Sequence, residues 1–343
     1  MGIENKSLAV IIPAYNAEKT ILAVYKKIPS YVDWIIIVND KSSDSTEKVV
    51  SIISDSRVVL INHSINTGVG GAMITGFKKA LELKAYFIAK IDSDDQMDPR
   101  YLDRFVRICL QFGCDYVKAN RFGHLDALPS MPLKRFIGNI GLSFLTKISS
   151  GYWNVFDPQN GYIMITRKML RRLDLKKVDH GYFFENTMLI LLNVMRAKIG
   201  EIYLPAQYGN EVSSMRLTNI LWTFPRKLFY GLMYRIYQKY IFRSLSPFFL
   251  LLSFGLVFFI GGSVWGSLAW YESIRTGIPA TTGTVILALL PIVLGWSALL
   301  QAFVIDAQDA GPSLLFDFDD EEITGHFGNR SSEYDTNDIP HKP

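Results

Sequence analysis

The sequence contains few cysteines and lacks several segments that define common protein classes. Its two cysteines, Cys109 and Cys114, do not have a Cys-x-x-Cys spacing, so we expect buried free thiols and neither a disulfide nor a zinc site. Residues 1–7 are mostly polar, and residues 8–12 are too short for the apolar part of a signal peptide. The N-terminal domain is therefore expected to stay in the cytoplasm.

Charge is missing altogether from two long segments of the 343-residue chain. No Asp, Glu, Lys or Arg occurs between Arg243 and Glu272, or between Arg275 and Asp306. A helix needs about 20 apolar residues to cross a bilayer core. We therefore predict two transmembrane helices, at about residues 246–270 and 281–305, joined as a hairpin. Two buried helices of a soluble protein are the alternative, but such helices rarely lack charge over this length.

Basic residues lie on one side of this predicted hairpin. Those that precede it are Arg216, Arg226, Lys227, Arg235, Lys239 and Arg243. The loop between the helices carries only Arg275, so the positive-inside rule places both the N-terminal domain and the C-terminal tail in the cytoplasm. Residues 213–243 mix cations with aromatics, which predicts amphipathic helices on the membrane surface, broken at Pro225; a packed linker is the alternative. The acidic tail, residues 307–343, is expected to be disordered.

The first part of the chain, residues 1–212, alternates short apolar runs with helical patterns. The predicted strands are 8–12, 35–38, 58–61, 86–91 and 115–119, and the predicted helices are 17–28, 44–53, 71–83 and 99–112. This alternation predicts an α/β fold with a Rossmann-like, mostly parallel sheet. Ligands of such sheets bind beyond the carboxyl ends of the strands, and polar motifs do follow the predicted strands.

Two of these motifs favour a nucleotide site without identifying it. Asp40 ends the second strand, where a carboxylate can accept an N–H of a nucleobase, whereas Asp44 is expected to cap the next helix. Gly68, Gly70 and Gly71 suit phosphate approach at a helix start. No Gly-Lys-Ser/Thr follows them, which excludes a Walker P-loop, and no Gly-x-Gly-x-x-Gly follows the first strand, which argues against a dinucleotide oxidoreductase.

The fourth strand is followed by a cluster of carboxylates. Asp92, Asp94, Asp95 and Asp98 would repel one another, and a divalent cation removes that repulsion. Carboxylate and phosphate oxygens are the ligands that Mg²⁺ and Mn²⁺ prefer. A solvated acidic loop is the alternative. Asp98 precedes a proline, so we expect it to cap a helix instead of binding metal.

Together these motifs resemble glycosyltransferase family 2, whose members have the GT-A fold. The motifs are Ile12-Pro13-Ala14-Tyr15-Asn16, Val38-Asn39-Asp40-x-Ser42-x-Asp44, Asn66-x-Gly68-x-Gly70-x-Ala72 and Asp92-x-Asp94-x-Gln96. The family usually has Asp-Asp-Gly-Ser where this chain has Asn39-Asp40-Lys41-Ser42. The polyprenyl-phosphate branch is the most similar, through Asp157-x-x-x-Gly161-Tyr162, Lys118-Ala119-Asn120-Arg121, Lys134-Arg135-x-x-x-Asn139, Ser213-Ser214-Met215-Arg216 and the hairpin.

The resemblance implies a role for each matched residue. A metal, Mg²⁺ or Mn²⁺, would be held by Asp92, Asp94 and Gln96. The nucleotide pocket would include Pro13, Ala14, Tyr15, Glu18, Asp40, Gly68, Lys90 and Asp92. The acceptor phosphate would be held by Arg121, Lys134, Arg135, Ser214 and Arg216. The residues implied in catalysis are Asp94, Asp157, Arg121 and Arg135. Asp157 would orient the arginines, contact the sugar or form a turn, and Glu185 is another candidate near the sugar.

The implied activity is inverting transfer of a sugar from a nucleotide-sugar to undecaprenyl or dolichyl phosphate at the cytoplasmic membrane face. A UDP-sugar is favoured, with GDP-mannose open. One alternative is a processive polysaccharide synthase, although its Gln-x-x-Arg-Trp motif is missing. The other is a non-catalytic membrane protein that binds nucleotide-sugar. The hairpin favours a homo-oligomer. No nucleic-acid partner is expected, and His124 and His180 show no ligand pattern.

Overall fold

The structure is a computed structural model, and it describes residues 6–121, 133–204, 217–242, 246–309 and 313–316. The side chains of residues 133–140 and 217–222 lie outside that description.

One mixed sheet organises the α/β part of the chain. Its strands are β1 (Leu8–Ala14), β2 (Trp34–Asn39), β3 (Val58–Asn62), β4 (Phe87–Lys90), β5 (Tyr116–Asn120), β6 (Ile163–Thr166), β7 (Ile199–Tyr203) and β8 (Ser313–Phe316). Their order is β3-β2-β1-β4-β6-β5-β7-β8, and only β6 runs antiparallel to its neighbours, β4 and β5. The predicted mostly parallel sheet is confirmed.

Helices cover both faces of this sheet. They are α1 (Ile21–Lys27), α2 (Thr46–Ser51), α3 (Gly68–Glu82), α4 (Leu102–Gln111), α5 (Leu133–Ser150), α6 (Arg167–Leu170) and α7 (Phe184–Val194). Helices α1, α2 and α4 pack on one face, and α3, α6 and α7 pack on the other. This two-sided burial explains why β1 and β2 are almost entirely apolar. Cys109 and Cys114 are free and buried, as predicted.

A long helix, α8 (Leu217–Ile236), connects the α/β part to the apolar hairpin and continues as a π-helix, Tyr237–Phe242. The predicted break at Pro225 is wrong, because α8 runs through this proline. Phe224 and Leu228 lie one turn apart around it and pack against Ile190 of α7. That packing favours the helix over the break that a proline alone would produce.

Two further helices form the predicted hairpin, α9 (Pro247–Thr276) and α10 (Thr282–Gln308). Both are long and apolar enough to cross a membrane, and only 17% of the most apolar window of each is buried. This low burial differs from that of a core helix in a soluble protein. The helices pack against each other, with the rings of Phe259 and Trp296 6.1 Å apart.

The chain returns to the sheet after α10, which the sequence did not predict. Residues 307–343 were expected to be disordered, and this is wrong for β8, which pairs in parallel with β7. Phe316 is buried there and its ring lies 4.6 Å from that of Phe112. A short apolar run can therefore fill an open sheet edge even inside an acidic segment.

Candidate active site

The loops after β1 and β2 are tied together at the carboxyl edge of the sheet. The Glu18 carboxylate accepts the backbone N–H of Ser45 at 2.9 Å, and Asp44 accepts that of Glu18 at 3.1 Å. Asp44 also accepts the N–H of Thr46, the first residue of α2, but the N-cap position that was predicted for Asp44 is occupied by Ser45. The Glu18 carboxylate therefore already has a hydrogen-bond partner within the protein. Tyr15, three residues earlier, is 55% exposed.

Lys41, at the position where the family motif usually has glycine, adopts φ +61°. This is the left-handed region, which glycine enters without steric cost and lysine does not. The departure from the motif therefore preserves the backbone shape of the loop at the expense of local strain. Asn39 supports the turn, since its side-chain oxygen accepts the N–H of Ser42 at 3.1 Å.

Asp40 is buried and organises the start of α3. Its carboxylate accepts the backbone N–H groups of Thr67 at 2.9 Å and Gly68 at 2.7 Å. His63, which the sequence analysis missed, contacts it through Nδ1 at 2.7 Å and contacts Thr75 through Nε2 at 2.9 Å. Burial raises the pKa of Asp40, but these hydrogen bonds outweigh burial and place it below its usual value. Asp40 thus caps the start of α3 from the loop that follows β2.

Asp40→Asn is expected to lower the melting temperature by about 6–10 °C, corresponding to about 3 kcal/mol. The amide offers one acceptor where the carboxylate offers two, so an N–H donor at the start of α3 loses its partner. Thermal unfolding of the purified protein, followed by tryptophan fluorescence, measures this shift. An unchanged melting temperature would contradict the capping role.

The glycines at the start of α3 serve close chain packing. A Cβ on Gly68 would lie 2.6 Å from the carbonyl oxygen of His180, and one on Gly70 would collide with the carbonyl of Asp179. The space above Gly70 is therefore filled by the backbone of residues 179–180 and not left open for a phosphate. His180 acts through its carbonyl, which accepts the N–H of Gly71 at 3.0 Å.

A buried lysine stands beside the first metal candidate. Nζ of Lys90, at the end of β4, lies 2.7 Å from Oδ1 of Asp92 and 3.4 Å from Oε1 of Glu185. Burial lowers the pKa of Lys90, but the two carboxylates outweigh it and raise the pKa. Burial raises the pKa of Glu185 more than Lys90 lowers it. Lys90 therefore carries the positive charge that balances Asp92 in this site.

The other three carboxylates of the acidic loop have different roles. Asp94 accepts the N–H of Gln96 at 3.1 Å, whereas Asp95 forms an exposed ion pair with Lys27 at 2.7 Å. Asp98 caps the helical turn that begins at residue 99, as predicted. Within the part of the chain that the structure describes, no three His, Cys, Asp or Glu side chains are grouped to hold a metal by themselves.

Gly161 brings a third segment against these carboxylates. A Cβ at this position would lie 2.9 Å from Oδ2 of Asp92 and closer still to Nζ of Lys90. Only glycine lets the backbone approach so closely. The same segment begins four residues earlier at Asp157, so one short stretch of chain joins the Asp92 cluster to the next group of charges.

Asp157 forms a two-point ion pair with Arg121. Its Oδ2 accepts Nε of Arg121 at 2.8 Å and its Oδ1 accepts Nη2 at 3.1 Å. The Asp157 side chain is 2% exposed and that of Arg121 46%, so the guanidinium is oriented by the protein but reaches solvent. Burial raises the pKa of Asp157, but Arg121 outweighs it and the pKa is lowered. Asp157 therefore orients the arginine, and it is poorly suited to accept a proton.

Two more buried charges, which the sequence analysis did not assign, lie behind this pair. Nζ of Lys118 donates to the backbone carbonyl of Asp157, and the Glu201 carboxylate accepts the backbone N–H of Asp157 at 3.1 Å. Burial lowers the pKa of Lys118 and raises that of Glu201. The sequence did contain a signal for these two residues, because each is a charged residue in the middle of a short and mostly apolar strand, Lys118 in β5 and Glu201 in β7.

The structure places pairs of the residues implied by the resemblance in direct contact, among them Lys90 with Asp92, Asp40 with Gly68, and Arg121 with Asp157. Lys134 and Arg135 begin α5, but their side chains lie outside the described residues. Ser214 and Arg216 lie outside them altogether. Pro13 and Ala14 are the last residues of β1, at the carboxyl edge of the sheet.

Comparisons with known proteins identify the family. The model of the family described as glycosyl transferase family 2 matches residues 9–174. A UDP-N-acetylglucosamine–dolichyl-phosphate N-acetylglucosaminyltransferase of Methanococcus voltae is 33% identical over 67% of this chain and 96% of its own length. A dolichyl-phosphate beta-glucosyltransferase of Trichomonas vaginalis is 23% identical over 62% of this chain and 69% of its own length. The resemblance to the polyprenyl-phosphate branch is thereby confirmed.

Among solved structures, the fold is similar to glucosyl-3-phosphoglycerate synthase of Mycobacterium tuberculosis, crystallised with Mn²⁺, UDP-glucose and phosphoglyceric acid. The TM-score is 0.51 at 20% identity, over 68% of this chain and 80% of that one. This likeness shows the fold alone, which is the predicted GT-A type. By its motifs, its sheet and its relatives, the chain belongs to glycosyltransferase family 2.

Proposed function

We propose that this glycosyltransferase moves one sugar from a nucleotide-sugar to a polyprenyl phosphate. The observation that carries the proposal is the segment from Asp157 to Gly161. At Gly161 it touches Asp92, and at Asp157 it holds the partly exposed Arg121. Carboxylates suited to a metal–diphosphate and a cation suited to a phosphate acceptor thus lie at the two ends of one five-residue segment. Both curated relatives described above are named for dolichyl phosphate.

The residues of the acidic loop fit a divalent cation. Asp92 and Asp94 would hold Mg²⁺ or Mn²⁺, with Gln96 beside them. The Asp92 side chain is 30% exposed and so is open to a ligand. Two carboxylates alone do not fill the coordination shell of Mg²⁺. In proteins, Mg²⁺ is commonly bound by one or two carboxylates, and substrate phosphates supply further ligands. When bound, the cation would neutralise charge on the leaving diphosphate.

The proposed reaction is a single displacement with inversion. An oxygen of the acceptor phosphate attacks the anomeric carbon, and the bond from that carbon to the nucleoside diphosphate breaks. A phosphate monoester is mostly ionised at neutral pH, since its second pKa is about 6, so no strong base is needed. This agrees with the lowered pKa of Asp157. Lys90 lies beside Asp92 and would add positive charge near the diphosphate.

Arg121 would bind the acceptor phosphate, together with Lys134, Arg135, Ser214 and Arg216. Guanidinium groups bind phosphate through paired, charge-assisted hydrogen bonds, and a pre-oriented one loses less freedom on binding. Asp157 supplies that orientation.

The hairpin would anchor the enzyme in the bilayer that holds its acceptor. α9 and α10 would span the membrane, with the catalytic part and the tail on the cytoplasmic side, as the distribution of basic residues predicts. The aromatic face of α8 supports contact with the membrane surface, because Phe229, Tyr230 and Met233 are exposed.

Mass spectrometry of the lipid product tests this function. The full-length protein in lipid nanodiscs, with undecaprenyl or dolichyl phosphate and Mn²⁺, is given UDP-glucose, UDP-N-acetylglucosamine or GDP-mannose in turn. We expect one donor, a UDP-sugar, to yield lipid phosphate heavier by a single sugar. Chains of several sugars would indicate a processive synthase instead, and binding of the donor without any lipid product would indicate a non-catalytic protein.

A further inference from the structure

A buried carboxylate binds the backbone of residues 156 and 157. Glu201, on β7, accepts the N–H of Phe156 and that of Asp157, each at 3.1 Å. Lys118, on the neighbouring strand β5, donates to the carbonyl of Asp157. Both polar groups of the Asp157 backbone, together with the N–H before it, are thus bound by this one pair of side chains.

The pair belongs to the sheet and not to the loop that it holds. Lys118 and Glu201 are direct partners in the parallel register of β5 and β7, and both are buried. Side chains on central strands have little freedom to move, so the pair is a rigid support. An apolar pair at these positions would leave the loop N–H and C=O groups without these partners, so the sheet would no longer fix the position of the loop.

Stability alone does not account for such a pair. Taking two charges out of water offsets much of their mutual attraction, and apolar replacements of similar volume are often as stable. Lys118 and Glu201 provide directional hydrogen bonds that fix the position of the Asp157 backbone. The position of the Asp157 backbone fixes its carboxylate, and the carboxylate fixes the guanidinium of Arg121 through two hydrogen bonds.

We propose that Lys118 and Glu201 are positioning residues that set the place of Arg121 and thereby the affinity for the acceptor phosphate. The proposal rests on the function proposed above, in which Arg121 binds the lipid phosphate. Neither residue touches substrate. The effect of replacing Glu201 should appear in the KM for polyprenyl phosphate and not in donor binding, because Glu201 contacts the backbone of residues 156 and 157, whereas Asp92 contacts Lys90.

Glu201→Gln tests the proposal in the full-length protein in nanodiscs. We expect the acceptor KM to rise about tenfold, with kcat and the Kd for UDP each within twofold of the original protein. Amide hydrogen exchange should become at least tenfold faster at residues 156 and 157. Asp115→Asn is the matched control, because Asp115 accepts the N–H of Lys198 at 3.2 Å just before the same two strands begin. It should leave the acceptor KM unchanged.

Two results would overturn the proposal: unchanged exchange at residues 156 and 157, or faster exchange with an unchanged acceptor KM. If Glu201→Gln does not fold, the charge-free double variant Lys118→Met, Glu201→Leu takes its place under the same criteria. Hydrogen exchange at residues 156 and 157 reports on their contacts with Glu201 even in a protein that transfers no sugar. An original protein that transfers no sugar therefore defeats the proposed function, and the exchange data separate that failure from a failure of the support.

Discussion

Asp94→Asn is expected to lower kcat for sugar transfer by about 1,000-fold, or about 4 kcal/mol in the barrier. The amide keeps an oxygen that can accept the N–H of Gln96, so the turn survives. It loses the negative charge that a hard divalent cation requires, and the leaving diphosphate is then poorly stabilised. Transfer of radiolabelled sugar to polyprenyl phosphate, with Mn²⁺ in excess, measures the effect.

The next residue provides a matched control for this experiment. Asp95 forms an exposed ion pair with Lys27, and Asn tolerates its φ of +64°. Asp95→Asn removes the same charge one residue away, and it should leave kcat within about twofold, because exposed ion pairs contribute little energy. Equal losses in the two variants would mean that general acidity of the loop matters and not a defined metal site. Full activity of Asp94→Asn would remove Asp94 from that site.

Arg121→Ala is expected to raise the KM for polyprenyl phosphate by about 100-fold, or about 2.7 kcal/mol. The guanidinium is held by Asp157 and is 46% exposed, so it is ready to bind a phosphate. Charge-assisted hydrogen bonds contribute about 1.5–3 kcal/mol each, so the loss of one or two of them accounts for the change. Initial rates over a range of lipid concentrations in mixed micelles measure the KM, and the Kd for UDP should not change.

Arg100 is the matched control for Arg121. Its guanidinium also binds both carboxylate oxygens of an aspartate, since Nε donates to Oδ1 of Asp98 at 3.1 Å and Nη2 donates to Oδ2 at 2.7 Å. Arg100→Ala should leave the acceptor KM within about twofold, since we place no phosphate there. If both variants raised KM alike, the effect would reflect net surface charge. Arg121→Lys retains the charge without the planar fork, so a KM close to that of Arg121→Ala would show that two-point binding matters.

The position of the site along the chain was predictable because parallel strands end at one edge of the sheet. Asp40 and Asp92 each follow a buried apolar run, and the alternation of strands and helices places those run ends together. The hairpin was predictable for a similar reason. Absence of charge over the length of a bilayer-spanning helix is a local property, and it needs no knowledge of the neighbouring elements.

Contacts between segments far apart in sequence were not predictable from periodicity. His63 supports Asp40, Gly161 approaches Asp92, and Glu201 holds Asp157. The sequence around each of these residues does not indicate which distant residue it contacts. The glycines at the start of α3 show the same limit, since glycine permits close approach but does not say whether a phosphate or another stretch of chain approaches.

The sequence by itself determined the class of fold, the family, the carboxylate motif and the apolar hairpin, because each depends on composition or on spacing along the chain. Tertiary structure alone decided that α8 continues through Pro225, that part of the acidic tail becomes β8, and that Lys118 and Glu201 support the Asp157 loop. Each of these depends on which surfaces meet. The packing of Phe224, the open edge of β7 and the register between β5 and β7 exist only in the folded chain.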